Sequence, residues 1–157
     1  MQSRTSDLHP AILAGITATV VLTILMYGAP LAGFPNIDMA SAIGGFLDRP
    51  AALFTLRWWV GLVVFAVVGC VASPLLFVRA VPWLYGNAWQ RGLEWGFLLW
   101  VVGGICAMTY LGLAFHEPFT SHPQMSALSS FLGNLAYGAV LGAVGAALVG
   151  RRTHQVG

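Results

Sequence analysis

From Ala11 to Ala29 the chain runs 19 residues without one charged side chain. As a helix rising 1.5 Å per residue this stretch is about 28 Å long, close to the roughly 30 Å hydrocarbon thickness of a bilayer. In lipid every backbone amide and carbonyl must be satisfied within the protein, so a lone apolar run of this kind crosses as a helix. Three further apolar segments follow, separated by short polar breaks. Composition closes the soluble alternative: 58% of residues are hydrophobic and 8% charged, against about 25% charged in ordinary soluble domains. Seven basic and five acidic side chains cannot cover the surface of a 157-residue soluble fold.

The expectation is therefore an all-α membrane protein, one transmembrane domain over residues 1–157. Four helices, at about 10–33, 51–79, 90–115 and 125–150, form a bundle. A short interfacial helix at about 39–47 lies between helices 1 and 2. The first run exceeds the roughly 7–15 residues of a signal-peptide core and carries no clear cleavage pattern, so it reads as a retained helix. Ser6 or Asp7 can cap it, and Pro10 suits a first turn that needs no amide donor. Gly33-Phe34-Pro35 ends it, and Asn36 or Asp38 can cap the short helix. Pro74 is expected to kink helix 2 near its far end.

Small residues at spacing four mark faces where helices can approach closely. Gly15, Thr19 and Thr23 form one such stripe, Gly92 and Gly96 a second, Gly138 and Gly142 a third. Trp58, Trp59, Trp83, Tyr85 and Trp89 stand where an aromatic belt would meet the headgroups. Arginine supplies all the basic residues. Arg4, Arg79, Arg91, Arg151 and Arg152 fall on one side of the expected topology, and Arg49 and Arg57 on the other. The positive-inside rule then puts both termini of this multi-pass chain in the cytoplasm. Scattered arginines make no nucleic-acid footprint, so the expected partners are lipid and other membrane subunits or a second copy. Cys70 and Cys106 would sit at heights differing by very roughly 7 Å, which disfavours a disulfide.

Polar groups at membrane depth are the functional candidates, because each costs free energy unless it is partnered. Asn134, with Tyr137 one helical turn away, is the clearest, and Glu94 on helix 3 is the third member of a possible intramembrane polar site. An interhelical hydrogen bond accounts for Asn134 more simply than a ligand does. Arg91, three residues before Glu94, can pair with it. If a metal were bound, His116, His122 and Met125 would offer imidazole and thioether donors suited to copper, although their spacing matches no metal motif. Haem finds no histidine at bundle depth, no nucleophile motif is present, and no cofactor or catalytic residue is expected. Asp38 and Phe46 on the segment between helices 1 and 2 are candidates for docking a partner.

Two stretches, Gly33-Phe34-Pro35-Asn36-Ile37-Asp38-Met39 and Gly133-Asn134-Leu135-Ala136-Tyr137-Gly138-Ala139-Val140-Leu141-Gly142, carry a resemblance. The chain resembles an uncharacterised family of small four-helix bacterial inner-membrane proteins, known as a domain of unknown function. The resemblance implies the four-helix architecture over nearly the whole chain and brings no activity with it. The expected function is a non-catalytic accessory subunit of a larger inner-membrane complex, respiratory complexes included. The alternative is a small binding or transport protein using the polar site or an outward copper site.

Overall fold

The computed structural model describes residues 8–35, 38–44, 53–105 and 123–153. Every regular element among them is helical. Helix α1 spans Leu8–Gly28 and runs into a 3-10 turn, Ala29–Ala32. Gly33 stops it in the left-handed conformation at φ 81°, its amide closing onto the Ala29 and Pro30 carbonyls; a residue without Cβ takes that conformation at no steric cost. Helix α2 is Met39–Gly44. The second long rod consists of α3 (Leu56–Val67), a π-helical segment (Val68–Ala72) and α4 (Ser73–Ala80), followed by a 3-10 turn, Val81–Trp83. Helix α5 (Ala88–Leu99) continues as a π-helical segment, Trp100–Ile105, and α6 spans Pro123–Thr153.

Among the described residues three stretches are long and apolar enough to cross a membrane: Leu8–Ala32, Leu56–Trp83 and Gln124–Val149. Over its described residues the α5 rod is not among them, since it carries Arg91 and Glu94 in its first two turns and runs only to Ile105. It nevertheless packs as a full partner of α6.

Two boundaries differ from the sequence expectation for local reasons. The second rod begins at Leu56, not near residue 51, because Thr55 is its N-cap, its hydroxyl accepting the Trp58 amide. Phe54 just before it has φ 61°, a left-handed conformation that costs a non-glycine residue roughly 1–2 kcal/mol. Its ring packs 5.3 Å from Trp58, which in turn meets Trp59 edge-on at 4.9 Å, and these contacts hold the turn. Helix α5 begins at Ala88 because Asn87 and Gln90 form a reciprocal capping box. The Asn-x-x-Gln pattern is its sequence signature.

The rods close by backbone contact at the small-residue faces. A Cβ on Gly92 would run into the Gly138 carbonyl, one on Gly96 into the Asn134 carbonyl, and one on Gly142 into the Ala88 carbonyl. The two glycine pairs at spacing four are therefore faces of one crossing between α5 and α6. A Cβ on Gly15 of α1 would strike Pro74 and the Cys70 carbonyl, so α1 crosses the second rod at its π segment. Helix α6 lies between α1 and α5, and the ring is completed where Phe77 of α4 meets Trp95 of α5 at 6.0 Å. Ala14, Ala18, Phe77, Leu84, Tyr137 and Leu141 form the core. Pro74 is accommodated by the π segment before it.

The short α2 is not a helix resting on lipid alone. Its Ala40 and Gly44 backbone abuts Gly61 and Arg57 of α3, where an added Cβ would collide with backbone atoms, and Ala40 and Ala42 are buried. The docking candidate Phe46 and the rest of the expected helix to residue 47 lie outside the described residues.

Candidate functional site

Polar side chains gather at two levels of the bundle. At the first, Asp38 caps α2. Its Oδ1 accepts the Ala40 and Ser41 amides at 3.0 and 3.2 Å. Its Oδ2 accepts the Ser41 hydroxyl at 3.0 Å and the Trp58 indole N–H at 2.9 Å. Tyr27 at the end of α1 is near enough to interact with the same carboxylate. One carboxylate thus starts α2 and ties it to α3.

The second level lies inside the bundle and follows from Pro74. Within the π segment the Ser73 amide donates back five residues to Val68. The next donor in that pattern would be residue 74, and proline has none. Gly69 is left with a carbonyl lacking an intrahelical donor, and the Tyr137 hydroxyl of α6 supplies one at 2.6 Å. Tyr137 is only 2% exposed. Beside it, the Trp95 indole of α5 donates to the Ser73 hydroxyl at 3.1 Å. Three rods are thereby joined by polar contacts around one irregular turn. Thr19 of α1 covers Gly69 from the other side, where a Cβ would meet its hydroxyl, and that hydroxyl has no hydrogen-bond partner.

The three residues expected to form one intramembrane site are not brought together. Tyr137 faces the π segment. Asn134 donates instead to the Ser130 carbonyl of its own helix at 2.8 Å and borders a small cavity of about 90 Å³ shared with Met26, Met39 and Phe65. Glu94 accepts the Tyr85 amide at 2.9 Å, across the turn that precedes α5. The carboxylate is thus directed to the loop backbone instead of to Arg91, whose Nε is buried without a hydrogen-bond partner. Of the copper donors, Met125 is half exposed near the start of α6, and His116 and His122 lie outside the described residues. Among the described residues no three His, Cys, Asp or Glu side chains cluster for a metal. Cys70 is a half-buried free thiol, and Cys106 lies outside the described residues.

Sequence reasoning overlooked Ser73 and Trp95. A proline inside an apolar helix was the available signal, since it obliges some other group to satisfy the carbonyl it orphans.

With this architecture in place, the family can be given. A model of a family of unknown function, DUF6789, matches residues 5–156. The chain belongs to that family. The match spans nearly all of the sequence, so the helical core and both polar levels fall within it. Neither the curated proteins nor the solved structures include a match to this chain.

Proposed function

We propose that this chain is a non-catalytic accessory subunit of a larger bacterial inner-membrane assembly, respiratory assemblies included. It crosses the membrane four times with both termini in the cytoplasm. The observation that carries the reading is the use made of polar groups at depth. Tyr137, Trp95 and Asn134 are each bonded to the protein itself, and Glu94 and Asp38 are bonded to backbone at rod ends. Such groups stiffen a bundle and leave little reactive chemistry facing a substrate. Outside, α3 turns Trp59, Val60, Val63, Val64 and Val67 outward, a β-branched face with few rotamers to lose on packing against another helix.

The test is extraction of the tagged chain in a mild detergent, followed by native electrophoresis and mass spectrometry. The expected result is co-migration with a membrane partner at fixed stoichiometry, with loss of that assembly's abundance when the chain is deleted. A lone monomer or a homodimer, with every inner-membrane assembly unaffected by deletion, counts against it. The competing reading is a small binding protein using Asn134, and the cavity beside Met26 and Met39 favours it. At about 90 Å³ that cavity is far below the roughly 300–1,000 Å³ of ordinary ligand sites.

A further inference from the structure

A second cavity, of about 330 Å³ and partly open, lies where the start of α1, the end of α4, the start of α5 and the end of α6 meet. Small residues line it, Ala11, Ala14, Ala88, Gly142, Gly145 and Ala146, and at Gly145 an added Cβ would meet only Ala14, at 3.9 Å. Phe77 and Leu141 give it an apolar wall. Its volume reaches the range of small-molecule sites.

Among the described residues one charged side chain lines it, Arg91. The Arg91 Nε is buried and has no hydrogen-bond partner, and the nearest carboxylate in sequence, Glu94, is bonded to the Tyr85 amide. A guanidinium is charged at every accessible pH and offers five donors in a planar fork that suits phosphate. A buried N–H without an acceptor is costly, and on this half-buried guanidinium an anionic oxygen removes that cost.

The height of the cavity matters as much as its charge. Pro10, Val81 and Val149 border it, and they lie at or near the ends of the three stretches able to cross a membrane. The cavity therefore sits at one end of the bundle, where those stretches begin or finish, and on the four-crossing reading this is the level of the lipid headgroups. Among the described residues no acidic side chain lines it to receive the cation of a zwitterionic headgroup.

We propose that this cavity seats one anionic phospholipid of the surrounding bilayer, its acyl chain against Phe77 and Leu141 and its phosphate on Arg91. The experiment is native mass spectrometry of the full chain in detergent, titrated with phosphatidylglycerol and with phosphatidylcholine of the same acyl chains. The expected result is one phosphatidylglycerol retained at least about fivefold more tightly than phosphatidylcholine. Arg91→Gln lowers that affinity about tenfold, as loss of a charge-assisted pair implies, and Arg91→Lys falls between. Gly145→Leu fills the cavity without touching Arg91 and lowers retention of both lipids. A Cβ there meets nothing closer than Ala14 at 3.9 Å, so this variant is expected to fold. Equal retention of the two lipids overturns the proposal, as does phosphatidylglycerol binding that survives both Arg91→Gln and Gly145→Leu. Displacement of the lipid by inorganic phosphate, or a lipid-free dimer burying this face, also overturns it. Should Arg91→Gln fail to fold, the headgroup preference of the native chain and the Gly145→Leu result decide.

Discussion

The Tyr137 hydroxyl and the Gly69 carbonyl, 68 positions apart in the chain, are 2.6 Å apart in the fold. Their bond repairs the backbone at the place where Pro74 withholds a donor. Tyr137→Phe leaves that carbonyl buried and unpaired, at a cost of about 1–3 kcal/mol. The check is thermal or chemical denaturation in detergent. In a Pro74→Ala background residue 74 regains an amide, and the penalty of Tyr137→Phe shrinks. A double-mutant cycle with no coupling would mean the two positions act independently.

The α5–α6 crossing should be intolerant of any side chain at its glycines. Gly138→Ile would push against the Gly92 carbonyl and the Gly96 backbone, so the helices must separate. The expected loss exceeds the roughly 1–3 kcal/mol of ordinary overpacking, because backbone cannot rotate aside. Leu132→Ile, at a position 48% exposed on the same helix, should change the melting temperature little. Similar melting temperatures for the two variants would contradict the observed crossing.

Asp38 serves both as a cap and as an acceptor for Trp58, and the two roles are separable. Asp38→Ala removes about 1 kcal/mol of capping and leaves the Trp58 indole without its acceptor. Hydrogen exchange at Met39–Gly44 should accelerate. Asp38→Asn keeps a good N-cap and should protect those amides nearly as well as the native residue. Unchanged exchange in Asp38→Ala would show that packing on α3 alone holds α2.

Topology has a direct readout. A cysteine in place of Ser121, in a background with Cys70 and Cys106 replaced by serine, should react with an impermeant thiol reagent in intact cells. Labelling only after the inner membrane is broken would invert the proposed orientation, which rests on the arginine distribution.

Much of this protein is local information, and local information is legible in sequence. The apolar run from Ala11 to Ala29 required a helix because lipid offers no hydrogen bonds to a backbone. Gly33 stops α1 through its own conformational freedom, and Asp38 starts α2 by reaching amides two and three residues away. The Asn87 and Gln90 box was equally local, and only the expected boundary near residue 90 hid it. The glycine stripes announced close-packed faces without saying which face meets which.

That pairing was decided by tertiary structure alone, since Gly92 and Gly138 make contact only after two rods lie side by side. The same is true of each polar side chain whose partner the chain order does not supply. Asn134, Tyr137 and Glu94 looked like one site because all three are polar in an apolar sequence. In the fold each is drawn to a different orphaned or available backbone group: the Ser130 carbonyl, the Gly69 carbonyl and the Tyr85 amide. Arg91, expected to pair with Glu94, instead borders a cavity that four separate segments enclose. Spacing along a helix says which side chains share a face, but hydrogen bonds in a low-dielectric interior go to whichever unsatisfied group the packing brings within about 3 Å.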